Sequence, residues 1–338
     1  MHLVTQLLEP FGLVHPVTFA LLFVAVSLFM IWRLEAMASH GLEGTALGTL
    51  ITPYCSGLGN LFFVYLMVRD GGNGTEVMTN CLVNNVTNLT LLLGLPAVLW
   101  GLDVFPSGSS AKGARRPSAK GARVQTEQRI SRLSLLLTMT AVAFFTGATW
   151  VLGQDGKLDT SDGLVLVGIF LFWQCFQVFD VMKHNIRERQ SFGLAFYLDV
   201  LGLILGGIVM YESLDALVVW LSSQTSGFFR SENLGWISGW LMVLPNAILA
   251  LYYGAKRRAD VVYASQIGDG HICIPLCVGL YALASPLVLP SFFETGILIL
   301  GGALALHFVL VLFLGRLPRV VGITLLGAYS WFLYQGLL

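Results

Sequence analysis

Uncharged stretches about as long as a bilayer is thick recur along this chain, and no other feature limits its fold as strongly. Val17–Trp32, Val77–Leu102, Leu133–Gln154, Gly163–Phe179, Asn233–Ala255, Ile272–Phe293, Thr295–Gly315 and Val320–Leu338 hold no Asp, Glu, Lys or Arg. About 20 helical residues cross the hydrocarbon core, so each run predicts a membrane-spanning helix. Two further crossings, Gly44–Val68 between Glu43 and Arg69 and the long Phe192–Ser222, tolerate charges at or near their ends, which makes ten. The runs are continuously apolar and do not alternate, so a helical bundle is expected and a barrel is not. Composition agrees. Hydrophobic residues make up 56% of the chain and charged ones 11%, whereas a soluble surface needs about a quarter charged. A formal net charge of zero argues against nucleic acid as a partner. The expected class is an all-α polytopic membrane protein whose partner is the lipid bilayer.

The basic residues set the orientation. The turns after helices 1, 3, 5, 7 and 9 hold sixteen Lys and Arg, and the opposite turns hold only Arg69, Lys157 and Arg230. The odd-numbered turns are therefore read as cytoplasmic and both termini as outside, in an integral protein of the plasma (cell) membrane. No basic leader or small-residue cleavage site precedes helix 1, which is read as an uncleaved span. All five cysteines fall inside predicted spans and form no C-x-x-C pattern, so no disulfide framework is expected.

One polar stretch interrupts the pattern. Phe105–Ser131 contains the direct repeat Ser110-Ala-Lys-Gly-Ala-Arg115 and Ser118-Ala-Lys-Gly-Ala-Arg123. Its composition reads as a flexible cytoplasmic loop at 105–131 that fixes topology. A functional reading is a contact between this basic loop and anionic lipid, or a kinase site at Arg115-Arg116-Pro117-Ser118.

The chain also echoes itself. Gly156-Lys-Leu-Asp-Thr-Ser-Asp-Gly163 answers Gly315-Arg-Leu-Pro-Arg-Val-Val-Gly322, and Leu58-Gly59-Asn60 answers Leu244-Pro245-Asn246. Five helices per half is an odd number, so a second half at 184–338 enters the membrane inverted relative to a first at 1–183. Inverted repeats are a common ground plan of secondary transporters, with the substrate at the midplane.

Polar side chains inside the spans nominate the site. Asn80, Asn84 and Asn88 are spaced four apart and share one helical face, with Asn85 beside it. Ser265, Asp269, Cys273 and Cys277 form a matching line in helix 8. Gly268, Gly270 and Pro275 allow that helix to distort and expose carbonyl oxygens to a cation. Helix 2 adds Ser56, Gly57 and Asn60, and helix 7 adds Ser238 and Asn246. Asp269 is the sharpest signal, since an ionisable group deep in a span is functional by default. Glu212 and Asp215 in helix 6 are secondary candidates, alongside Asn80, Ser56 and Ser265. Asp180 and Asp199 read as snorkelling or capping. The bland alternative is that small residues pack these helices and asparagines glue them.

These features resemble the calcium/cation antiporter superfamily, the sodium/calcium exchangers in particular, over almost the whole chain. That family reads G-T-S-L-P-E in helices 2 and 7, where this chain has Cys55-Ser56-Gly57-Leu58-Gly59-Asn60 and Leu241-Met242-Val243-Leu244-Pro245-Asn246. It reads G-N-x-x-G-S-N-x-x-N/D in helices 3 and 8, against Thr79–Asn88 and Ala264–Cys273 here. The resemblance implies a cation-binding set of Asn60, Asn84, Asn88, Asn246, Asp269 and Cys273, with Gly57 and Val243 offering backbone oxygens. Asn60, Asn246 and Asp269 would be the metal-facing core. It also implies transport of Na⁺, H⁺ or Ca²⁺ without a bound cofactor.

Asn60 and Asn246 stand where the family has glutamates. One carboxylate with amides suits a monovalent cation or a proton cycle better than Ca²⁺, which prefers several carboxylates. The leading expectation is thus a secondary active cation antiporter working by alternating access. A non-transporting scaffold or sensor derived from antiporters is the alternative. An intramembrane aspartyl protease is remote, because Gln266 replaces the first glycine of a G-x-G-D motif and no second facing aspartate is apparent.

Overall fold

A computed structural model describes residues 3–39, 52–104, 119–185 and 193–338. Its elements in chain order begin with α1 Leu3–Leu8, α2 Pro16–Ser39, α3 Thr52–Arg69 and α4 Gly74–Val86. A π-helical turn at Thr87–Leu91 leads into α5 Leu92–Trp100 and β1 Leu102–Asp103. Then come α6 Ala119–Leu152, β2 Lys157–Leu158, α7 Thr160–Asn185, α8 Leu194–Ser223, α9 Leu234–Ala255 and α10 Ala259–Gly268. A second π turn at Ile272–Cys277 precedes α11 Val278–Ala284, β3 Leu287–Val288, α12 Phe293–Phe313, β4 Arg316–Leu317 and α13 Arg319–Leu337.

Among the described residues nine helical stretches are long and apolar enough to cross a membrane. The protein is a helical polytopic membrane protein. α3 is the described part of the expected Gly44–Val68 crossing; residues 44–51 lie outside the described set. Two expectations need revision. The eighth crossing runs Ala259–Ala284 and not Ile272–Phe293, because a search for charge-free runs steps over the very carboxylate, Asp269, that lies inside it. Residues 119–131, read as loop, are helical and open α6. Their Ala, Arg, Gln and Glu residues are good helix formers, a local preference that outweighs low hydrophobicity. Residues 105–118 lie outside the described set.

The chain forms two compact units, each drawn from three separate stretches of the sequence. The first comprises Met1–Asn84, Leu152–Pro245 and His271–Pro290. Within it α2 lies along α8, where Gly206 leaves room for Met30 and Gly202 for Phe29 and Arg33. Arg33 bonds the buried Asp199 at 3.1 Å and stacks over Trp32, so the expectation of a snorkelled Asp199 gives way to an ion pair. At the other end of α8, Arg69 clamps Asp215 and Asp70, each at 2.7 Å, and donates to the Tyr211 hydroxyl. The same guanidinium holds the exposed Asp70 carboxyl below its ordinary range.

The two units contain matching parts. In the first, β2 pairs antiparallel with β3, after a turn at Gly156 with φ +84°. In the second, which comprises Asn85–Val151, Asn246–Gly270 and Ser291–Leu338, β1 pairs antiparallel with β4 beside Gly315 with φ +62°. Left-handed backbone at both turns favours glycine. Pro318, which cannot donate an N–H, then caps α13. In each unit the helix after the turn is pressed against a helix backbone. A Cβ on Gly163 would sit 2.9 Å from the Gly279 carbonyl oxygen, and one on Gly322 would sit 2.7 Å from that of Gly94.

Because the obstacle at Gly163 is backbone, which cannot swing aside as a side chain can, Gly163→Ala is expected to cost about 1–3 kcal/mol. Gly168→Ala on the same helix meets nothing within 4 Å and should leave stability unchanged or slightly raised. Thermal unfolding of both purified variants in detergent checks this, and equal melting temperatures would refute it.

Candidate functional site

In the first unit, α3 delivers Asn60 into the interior. Its side chain is 1% exposed, and neither amide atom has a hydrogen-bond partner. Gly57, one turn earlier, admits Ile272 of the second π turn, whose Cγ2 would lie 2.6 Å from an added Cβ. Gly57 is therefore needed for packing, whatever its carbonyl contributes. Ser56 lies on the same helix, and its side chain is outside the described set. On α4, Asn80 donates to Ser238 Oγ at 2.9 Å while its Oδ1 is left without a partner. Asn84 and, on α9, Val243 are buried. Cys273 is fully buried, as are Cys81 and Cys277. His271 stacks on Phe170 with ring centroids 6.5 Å apart, and both its ring nitrogens are buried without partners.

In the second unit, Asn246 Nδ2 donates a short hydrogen bond to Asp269 Oδ2. Both side chains are almost fully buried, Asp269 at 2% exposure. A hydrogen bond to an ionised carboxylate is about twice as strong as a neutral one, and burial makes its absence costly. Gln266 joins this group. Its Nε2 donates to Ser265 Oγ at 2.8 Å and, more weakly, to the Asn246 carbonyl at 3.5 Å. Asn88 is fully buried in the first π turn.

The π turns themselves fall at matching places. If Thr79–Asn88 and Ala264–Cys273 are set in register, Thr87 lies opposite Ile272, the first residue of each π turn. π bulges frequently occur at functional sites, since the wider turn loosens the regular carbonyl ladder. In the second π turn the break is sharper: Ile274 has φ −122° and ψ 96°, just before Pro275. The distortion expected from Gly268, Gly270 and Pro275 is therefore present. In the first π turn His307 Nε2 donates to the Leu89 carbonyl at 2.8 Å. A carbonyl can only accept, so in the neutral ring Nδ1 is the acceptor for the Tyr263 hydroxyl at 3.0 Å.

The secondary candidates divide. Asn80 and Ser265 are tied to Ser238 and Gln266 as described. Asp215 is held by Arg69, and Glu212 Oε2 accepts the Val4 backbone N–H at 2.6 Å. Both acids thus have structural partners within the first unit. Sequence reading missed Gln266 as part of the Asp269 group, although an amide one turn before an intramembrane aspartate was a visible signal. Asn85, with both amide atoms buried and without partners, also went unassigned. The supports from Tyr263 and His307 left no local trace. Among the described residues no group of three or more His, Cys, Asp or Glu side chains is placed to hold a metal ion.

The model of the family described as "Sodium/calcium exchanger protein" matches residues 12–179. That match, over just under half of the chain, supports a place in the calcium/cation antiporter superfamily. No curated protein sequence matches the chain. Among solved structures, the sodium-calcium exchanger NCX_Mj soaked with 2.5 mM Na⁺ and 1 mM Sr²⁺ is similar at a TM-score of 0.63 and 16% identity, covering 94% of this chain and 97% of that one. The same exchanger soaked with zero Na⁺ and Ca²⁺ gives a TM-score of 0.60 at 16% identity, with 94% and 97% covered. At this identity the likeness shows the fold alone. The family match and the membrane-length helices together support an integral membrane protein of the cation-antiporter kind.

Removing the acceptor at position 269 should expose how tightly this polar group is bound together. Asp269→Ala strands the Asn246 donor and is expected to cost about 1–3 kcal/mol. Asp269→Asn keeps an acceptor oxygen and should cost less. Melting temperatures of the purified variants provide the comparison, and an equal loss in both would show that the hydrogen bond contributes nothing.

Proposed function

We propose that this protein is a secondary active antiporter of the plasma membrane that exchanges a monovalent cation, with Na⁺ or H⁺ as the coupling ion. The observation that carries this reading is the buried Asn246–Asp269 hydrogen bond, a lone carboxylate held among amides. Asn60, Asn84, Asn88, Asn246, Asp269 and Cys273 are the proposed ligands, with backbone oxygens from Gly57 and Val243. A site of this charge neutralises one positive charge. A divalent ion would retain a net charge in a low-dielectric interior, which is costly unless paired. The amide oxygens of Asn60 and Asn246 supply dipoles where the family's glutamates would supply charge.

Ten crossings with both termini outside, in inverted repeats at 1–183 and 184–338, form the proposed architecture. The matching ribbons, glycine contacts and π turns described above support it. Ribbon β1–β4 joins the turns after helices 3 and 9, and β2–β3 joins those after helices 4 and 8, as the basic-residue count requires. The proposed partners are the bilayer and inorganic cations, with no resident cofactor. Anionic lipid is the proposed contact of the basic segment at 105–131.

Ion flux into proteoliposomes tests the reading. With ²²Na⁺, ⁴⁵Ca²⁺ and an internal pH dye under imposed gradients, Na⁺- or H⁺-driven flux is expected, and it should be lost in Asp269→Asn although that variant folds. Calcium flux equal to sodium flux would overturn the charge argument. Silence toward every cation from folded protein would favour a scaffold descended from antiporters.

A further inference from the structure

The first unit carries an apolar groove of about 300 Å³ that none of the ion chemistry uses. It lies among the first turns of α2, the last turns of α8 and the first turns of α9, and no charged residue lines it. Its rim is open, with Val17 57% and Phe229 56% exposed, whereas Leu217 and Leu221 on its walls are buried. Ser238, the partner of Asn80, also lines it.

Two features say what fills it. The groove is continuous with the exposed apolar faces of α2 and α8, which in a spanning helix face lipid. The connection from α8 to α9 also gathers aromatic rings: Trp220 beside Phe229, Phe228 stacked on Trp240, and Trp240 against Trp236. Such clusters mark the membrane–water interface. The charged pair Arg230–Glu232 in the same connection belongs at the aqueous side of that level. The groove therefore opens near headgroup depth and extends roughly 10 Å inward, the rise of two helical turns.

His15 stands at this mouth, and its Nδ1 accepts the Val17 backbone N–H at 3.2 Å. In the neutral ring the proton is then on Nε2, which is left as a donor. We propose that the groove holds part of one acyl chain of a membrane phospholipid, with His15 Nε2–H donating to its headgroup oxygens and the rest of the chain lying along the exposed apolar faces of α2 and α8.

Native mass spectrometry of the full chain, extracted from phosphatidylcholine membranes into detergent, tests this. Wild type is expected to retain one phospholipid. Ala20→Phe, which fills the groove, should lose it, and His15→Ala should retain less. Leu298→Phe on an exposed face of α12 is the control and should behave as wild type. Should Ala20→Phe fail to fold, Ala20→Leu is the smaller filling variant, and thermal unfolding identifies which variant to read. Retention unchanged by filling the groove would overturn the proposal, as would a bound free fatty acid or detergent in place of phospholipid. None of these outcomes depends on transport.

Discussion

A polar side chain on a membrane-length helix cannot turn to water, so it must find its partner within the protein or carry a role that repays its isolation. That constraint organises this molecule. Arg33 meets Asp199, Arg69 meets Asp215, and His307 meets both Tyr263 and the loosened carbonyl of Leu89. Each arrangement converts a buried polar cost into a tie between helices. What stands out against this background is the set that does not close: both amide atoms of Asn60, both of Asn85 and one of Asn80 are buried without partners. Leaving a buried donor or acceptor unmade costs about 1–3 kcal/mol. Asn80 and Asn85 stand on α4, which also carries Asn84 and leads into the π turn that holds Asn88, and Asn60 stands on α3.

Regular secondary structure yields where that site is built. An α-helix uses nearly every carbonyl internally and offers a cation little but side chains. The π turns at Thr87–Leu91 and Ile272–Cys277 interrupt this economy within otherwise apolar spans. Gly57 and Gly59 complete the arrangement by clearing space for Ile272 and Met242. The structure around the site is therefore close-packed, and the irregularity lies along the chain and not in loose packing. Gly163 and Gly322 apply the same close approach at the ribbons.

The parts of this design differ in how visible they were in the sequence. Spans were legible because the bilayer imposes a length and a polarity that any helix must meet. Asn80, Asn84 and Asn88 were legible because helical period converts spacing into a shared face. The extent of the eighth crossing was not, since Asp269 breaks the charge-free run that marks a span. Nor were the partners of Asp215 and Glu212: Arg69 and Val4 lie 146 and 208 residues away, and only packing brings them near. The two-residue strands are too short to leave a pattern. Their existence follows from the glycine turns that precede the helices, which were visible as an echo between Gly156–Gly163 and Gly315–Gly322.

The proposed ion chemistry rests on how an amide is used. An asparagine presents a donor at one end and an acceptor at the other, and a cation can use only the acceptor. With Nδ2 of Asn246 committed to Asp269, Oδ1 is the end left to face an ion. The same bond holds the carboxylate beside the amide. A glutamate in place of Asn246 would set two negative charges side by side, which repel unless a divalent ion or a proton intervenes. The asparagine removes that requirement. The pair is neutralised by a single positive charge, so on the proposed reading one monovalent cation leaves as another arrives. Exchange of this kind moves no net charge through the protein. It would proceed equally well in either direction, driven by whichever concentration gradient is steeper.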